Sequence, residues 1–417
     1  MIKATNTTNV AKRFGQHLLM PGVPTEVPVS FLALFGSPKG IILDLSEMAD
    51  DLPVDDHGAP LFDWYSFLSN VEGYGRHAIG LIRGLVRQGA HMRVKDLQWL
   101  PADQLPADID KLRRVSPGGN VPARIGVTFT LGYDPVTYSH PSPIRVAITQ
   151  FETDRLPRKH VDNLNRVDHV IVTSSFCVDV FRESGVRAPI SVMRPGIEVD
   201  DFPFVERKKD GLFKVLMLGA LTGRKDPVGA VSIFKEASRG NPDWRLTLKT
   251  RAHVDGTGAV MAAINGDPRI TLITRDDPAH TIRAYYYGHD CLLWPSKGEG
   301  VGLPPLEAMA TGMELVCSDN SGMSDYVDKK ICYPIKTGGR ESANCAGGFS
   351  DKYVAGYGEV GNWWVPDHKH AVAQLERCFH NWLEGKGKGR KAAEQVRQKH
   401  TSDLSALDIL EVVGGYS

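Results

Sequence analysis

Long apolar runs are missing from this chain. No stretch approaches the roughly 18 residues of a membrane-spanning helix, and the start, MIKATNTTNVAKRFGQHLLMPG, has no sustained apolar core before its Pro-Gly, so neither a span nor a signal peptide is expected. A surplus of either charge is missing too, since 49 Lys and Arg offset 49 Asp and Glu in 417 residues. That balance argues against a general nucleic-acid binder while leaving room for a local basic patch. Cysteines are few, and the six present (Cys177, Cys291, Cys317, Cys332, Cys345, Cys378) show no C-x-x-C spacing. Several lie in or beside apolar runs, as reduced core thiols do, so a cytoplasmic home is expected. No Ser/His/Asp set, zinc-ligand spacing or Walker loop stands out, and the pairs Asp50-Asp51 and Asp276-Asp277 fall in turn-like sequence. Chemistry without a metal is therefore the expectation.

What is present is an alternation of strand-like and helix-like runs, twice over. The first series includes DWYSFLS, the amphipathic GRHAIGLIRGLVRQG, RIGVTFT, IRVAITQF, DHVIVTSS and PISVMRP; the second runs from FKVLMLGAL through WRLTLKT, RITLITR, CLLWPS and LEAMATG to ELVCSD. Between them lies DDFPFVERKKDG, charged and aperiodic as a linker is. A chain of this length suggests two domains, and the βα alternation makes each an α/β domain with a doubly wound parallel sheet. Ligands of such sheets sit beyond the carboxyl ends of the strands, so two such edges would face each other across a cleft. The expected division is 1–203, 204–390, and a C-terminal helix in 391–417 that packs back on the first domain. The first 60 residues fit this pattern less well, and DLSEMADDLPVDDHGAP reads as a solvated loop. The tail EGKGKGRKAAEQVRQKH reads as a basic loop leading into an exposed helix.

One stretch, KGEGVGLPPLEAMATG at residues 297–312, concentrates the functional signal. Gly298, Gly300 and Gly302 permit sharp bends. Pro304 and Pro305 then suit a first helical turn, and Gly312 suits a helix stop. A buried strand, CLLWPS, precedes the loop. Free backbone N–H groups from Gly300, Val301, Gly302 and Leu303 would point outward past the sheet edge, which is a setting for an anion.

Glu299, seven residues and Glu307 within EGVGLPPLEAMATG resemble the E-x7-E signature of glycosyltransferase family 4, retaining enzymes of the GT-B fold that use nucleotide sugars. VLMLGALTGRKDP resembles that family's first strand and basic loop in the nucleotide domain, with Arg224 and Lys225 at the basic positions. VTSSFCVDVFRESGVRAPISVMRPGIEVDDF resembles its hinge-proximal segment, and VEGYGRHAIGLIRGLVRQGAHMRV its N-terminal glycine loop and first helix. In order, these segments cover residues 62–400.

The resemblance implies a GT-B fold and a hexosyltransferase with no permanently bound cofactor and a UDP- or GDP-hexose as donor. It places Glu307 on the ribose diol, Glu299 on the hexose, and Arg224 and Lys225 with the Gly300–Leu303 backbone on the diphosphate, Lys225 and Glu299 also serving catalysis. Many family members carry a histidine near TQFETD that touches the donor sugar. This chain has none there, and Glu152, at the end of an apolar strand, is the substitute. Gly73 and Gly75 in NVEGYGRH allow either a sugar or phosphate to rest at the helix start or a tight strand-to-helix turn. The acceptor implied is the hydroxyl of a glycan. Alternatives are a DNA-base glycosyltransferase, which zero net charge disfavours, an epimerase or phosphorylase on the same scaffold, and a nucleotide-sugar-binding protein without catalysis. His160 and His169 read as surface and strand-flanking residues.

Overall fold

The computed structural model describes residues 62–69, 73–97, 105–115, 122–344 apart from 133, 208 and 253–255, and 356–416, with the backbone of five short strands before them. Those five are β1 (Ile2–Asn6), β2 (Lys12–Phe14), β3 (His17–Leu19), β4 (Pro24–Val27) and β5 (Ile41–Asp44), forming an antiparallel sheet β4-β1-β5 and a hairpin β2-β3. The acidic run from Leu45 to Pro60 lies outside the described residues, as does Cys345.

The continuous apolar runs become strands buried on both faces, as parallel sheets require. In the N-terminal domain β6 (Phe62–Ser66), β7 (Met92–Asp96), β8 (Ile125–Phe129), β9 (Ile144–Thr149), β10 (His169–Val172) and β11 (Ile190–Val192) form one sheet in the order β11-β10-β9-β8-β6-β7. In the C-terminal domain β12 (Phe213–Leu218), β13 (Trp244–Thr250), β14 (Ile270–Thr274), β15 (Cys291–Trp294), β16 (Glu314–Ser318) and β17 (Tyr333–Ile335) form another, ordered β14-β13-β12-β15-β16-β17. All neighbouring pairs in both sheets are parallel. The second sheet reverses its strand order between β12 and β15, so the loops leaving those two strands splay apart and open a crevice. Those loops carry Arg224, Lys225 and Glu299.

The chain crosses back at its end as two helices. Gly389–Lys399 buries Ala392 and Val396 beside the helix Leu303–Ala310, so the basic tail has one covered face and is not the exposed helix its composition suggests. His400 and Thr401 break the line: Thr401 accepts a hydrogen bond from Leu404 N and caps the next helix, Ser402–Gly414. That helix buries Ala406, Ile409 and Val413 with Leu81 and Leu85 of the N-terminal domain.

A second tie joins the domains on the other side. Strands β18 (Thr337–Ser342) and β19 (Asn362–Pro366) form an antiparallel ribbon, and Ala343, Val360 and Trp363 are buried in the N-terminal core with Ala147, Phe151 and Val170. Asp154 fastens this strap. Its carboxylate accepts from Asn362 N at 2.7 Å, Arg340 Nη1 at 2.9 Å and Asn362 Nδ2 at 3.2 Å. Replacing Asp154 with Ala removes a charged acceptor from three donors and should destabilise the intact chain by about 1.5–3 kcal/mol. Urea unfolding measures this, and an unchanged midpoint would show that the strap is held by apolar burial alone.

Candidate functional site

Strand β15 ends in the loop Pro295–Gly302, whose glycines serve close approach. A Cβ on Gly298 would lie 2.1 Å from the Glu152 carbonyl oxygen, and one on Gly300 would lie 2.6 Å from the Gln150 side chain. Gly298 and Gly300 therefore let the loop of one domain lie directly against the end of β9 in the other. Gly302 is left-handed at φ +80 and sits at the N-cap of the helix Leu303–Ala310, with proline in the first turn as its sequence predicts.

Glu299 is the centre of the site. Its carboxylate takes Lys225 Nζ at 2.5 Å, Arg224 Nη1 at 3.0 Å and Ser296 Oγ at 2.7 Å, while its backbone N–H donates to Ser321 Oγ at 2.8 Å. Both cations come from the loop after β12, held by Lys297 N donating to Arg224 O. Lys225 also stands 4.6 Å above the centroid of the Trp294 ring. Burial alone would raise the Glu299 carboxyl, but the charges of Lys225 and Arg224 prevail and hold it at about 2. Burial, opposed by Glu299 and assisted by Arg224, lowers Lys225 to about 8. The lysine is therefore a cation at neutral pH that a second anion would hold more firmly.

Glu307 is 2% exposed and lies in the second turn of the helix Leu303–Ala310. Its carboxylate pairs with Arg76, from the opposite domain, and accepts from Tyr286 Oη at 2.5 Å. A ribose diol at Glu307 would have to displace that guanidinium. Glu152 faces the same space with Arg224 Nη2 at 3.7 Å.

The domains enclose a cavity of about 600 Å³. It is lined by Glu152, Arg224, Lys225, Glu299, Gly300, Val301, Gly302, Leu303, Glu307 and Gly73, so these expected site residues are brought together. Gly75 does not line it. A Cβ there would lie 2.5 Å from Ser69 N, so Gly75 serves the tight strand-to-helix turn rather than ligand approach. Asp277, from a pair that reads only as turn-like sequence, also lines it, and it accepts from Tyr285 Oη at 3.0 Å beside the buried Lys249. His160 is also corrected, being 3% exposed rather than superficial. Arg76, His77, Lys249, Tyr286 and Trp294 were not anticipated. The only local sign of the first two is their place on the same helical side as Gly73, which is legible once that side is known to face the cleft.

Among the described residues no cluster of three or more His, Cys, Asp or Glu could hold a metal ion, and no helix is long and apolar enough to cross a membrane. The described cysteines are all buried and free.

Comparison with known proteins follows this geometry. Residues 198–338 match the family model described as "Glycosyl transferases group 1". No curated protein matches the chain. Among solved structures, sucrose-phosphate synthase from Thermosynechococcus elongatus is similar at a TM-score of 0.60 and 14% identity over 85% of this chain and 99% of that one. Anabaena HepE, in complex with UDP and glucose, is similar at 0.55 and 13% over 84% and 99%. A variant of S. aureus TarM, in complex with fondaparinux, α-GlcNAc-glycerol and UDP, is similar at 0.53 and 14%; the match covers 69% of this chain and 55% of TarM, so this chain spans about half of that protein. These likenesses establish two Rossmann-like domains in the GT-B arrangement. The family match lies within residues 198–338, about a third of the chain, and likens that part to group 1 glycosyltransferases.

The triad generates its own test. Replacing Glu299 with Gln leaves two part-buried cations without their carboxylate and should cost about 3 kcal/mol at pH 7. Because the folded carboxyl is held below its unfolded value, this stability is present above about pH 4.5 and is lost as pH falls toward 2. Unfolding of wild type and variant across that range should converge at the acid end. A constant difference would place the ionised carboxylate outside the stabilising network.

Proposed function

We propose that the chain moves a hexose from a UDP- or GDP-linked nucleotide sugar to a hydroxyl of a glycan acceptor, with retention at the anomeric carbon, as the resemblance to family 4 implies. The observation that carries this reading is the convergence of Arg224 and Lys225 on Glu299 at the N-terminal end of the Leu303–Ala310 helix. Two cations and a row of backbone N–H groups there suit a diphosphate, and the helix dipole adds to their field.

In this reading Arg224 and Lys225 meet the charge that grows on the departing diphosphate as the bond from the anomeric carbon to its oxygen breaks. That bond's electron pair goes to the phosphate oxygen. The acceptor hydroxyl oxygen bonds to the same face of the carbon, and its proton passes to a phosphate oxygen of the leaving group. Charge that is matched better in the transition state than in the bound donor lowers the barrier. Glu299 holds both cations and presents a carboxylate edge to the hexose hydroxyls. Glu307 takes the ribose diol when Arg76 releases it. Glu152, opposite Arg224, steadies positive charge building on the sugar ring.

Water can replace the acceptor slowly, so a panel of UDP- and GDP-hexoses tests the reading without knowledge of the acceptor. One donor should release nucleoside diphosphate and free sugar, the sugar appearing first in the donor's own anomeric form. Lys225→Met should lower that turnover about 10²-fold at saturating donor, and wild-type kcat/KM should fall as pH rises through about 8, where Lys225 of the free enzyme loses its proton, while turnover at saturating donor falls only at higher pH. Hydrolysis that is indifferent to Lys225, or none from any donor, would contradict the reading.

A further inference from the structure

Helix Gly73–Arg87 forms the N-terminal wall of the cavity, and one of its residues has unused bonding capacity. His77 is 4% exposed and lines the cavity, yet its Nε2 has no hydrogen-bond partner. Buried polar atoms in folded proteins are nearly always paired, and an orphan beside a cavity marks a partner that arrives from outside the chain. The ring is fixed for that purpose. It stands edge-on to Phe129, with centroids 5.2 Å apart at 85°, and Tyr74, one turn earlier, stacks on the same phenyl ring at 4.8 Å. Tyr74 is itself held by donating to Thr130 O.

One flank of His77 on its helix is open. Gly73, four residues before it, and Gly80, three after, border it together with Tyr74 and Leu81, and a Cβ at Gly80 would lie 3.0 Å from Ser402 Oγ, so that turn is covered by the C-terminal helix. A Cβ at Gly73 would meet nothing within 4 Å. A ligand can therefore approach the imidazole over the backbone at Gly73, while Ser402 closes the Gly80 side. Burial holds the imidazole near a pKa of about 4, so it stays neutral at physiological pH. A neutral imidazole nitrogen donates or accepts according to tautomer, which suits a hydroxyl, itself both donor and acceptor, better than a phosphate. The cations for phosphate stand on the facing wall.

We propose that His77 Nε2 hydrogen-bonds a sugar hydroxyl of the bound nucleotide sugar, and so acts as a donor-recognition residue contributed by the N-terminal domain. This inference rests on the donor reading above. Two sugars of the donor carry such hydroxyls, the hexose and the ribose, and binding measurements separate them.

Calorimetry on the intact chain would compare wild type, His77→Phe and His77→Gln, using the nucleoside diphosphate, its 2′- and 3′-deoxy analogues, and the hydrolysed nucleotide sugar. Phenylalanine keeps the ring against Phe129 and removes the nitrogen, whereas glutamine restores a neutral donor and acceptor. If the partner is a hexose hydroxyl, His77→Phe weakens the nucleotide sugar about tenfold and leaves the diphosphate unchanged. If it is a ribose hydroxyl, the diphosphate weakens by that factor and one deoxy analogue shows no difference between wild type and variant. In either case glutamine recovers part of the loss, and the ratio of variant to wild type stays flat from pH 5.5 to 7.5. Equal affinities throughout would overturn the proposal. So would a loss shared equally by every ligand, which would make His77 a packing residue. Failure of wild type to bind any nucleotide would instead remove the donor reading.

Discussion

The buried meeting of Glu299 with Lys225 and Arg224 is the constraint on which the rest of this site depends. Two cations held in a cleft with little water repel each other, and the carboxylate between them offsets that cost while leaving a net positive charge. A carboxylate held at about 2 stays ionised throughout the physiological range, so the site's charge is fixed before any ligand arrives. Such preorganisation is what electrostatic catalysis needs, since nothing has to be reoriented as charge develops. The neighbouring features serve this triad. Ser296 occupies another position on the Glu299 carboxylate, Ser321 fixes its backbone, and the Trp294 ring lies beneath Lys225.

The same loop joins the domains. Gly298 and Gly300 touch the end of β9 so closely that a methyl group at either would collide. Thr173 Oγ1 donates across the gap to Gly300 O at 3.2 Å, and Trp364 N of the strap donates to Lys297 O at 2.9 Å. The site is thereby coupled to the relative position of the two domains. The Arg76–Glu307 pair spans the cavity a second time, with charges that a ribose would have to separate.

Much of this was legible in the sequence because it is written locally. Uninterrupted runs such as CLLW and ELVCS can only be satisfied in a sheet covered on both faces, and the glycine-proline order of residues 298–305 specifies a loop that turns into a helix. Glu299 and the Arg224-Lys225 pair were singled out by the resemblance of such segments to family 4. Contacts between distant segments were not legible. Nothing near Arg76 announces Glu307, and a glycine at 75 looks like one at 73 until the fold shows Ser69 packed against the former and open space beside the latter. The strap went unread because β18 is largely exposed and lacks an apolar pattern, its burial coming from Ala343, Val360 and Trp363 beside it. The break at Thr401 was missed because its cap is a single side chain within a run that otherwise favours helix.

The central claim, that Glu299 positions two cations to receive a diphosphate, is tested most directly by the preference for diphosphate over monophosphate. Calorimetric titration of wild type and of an Arg224→Gln, Lys225→Gln double variant, with the nucleoside mono- and diphosphates of the preferred base, measures it. The account predicts that wild type favours the diphosphate by more than about tenfold, as befits a further pair of charge-assisted hydrogen bonds, and that the double variant binds the two nearly alike. A preference that survives loss of both cations would contradict it.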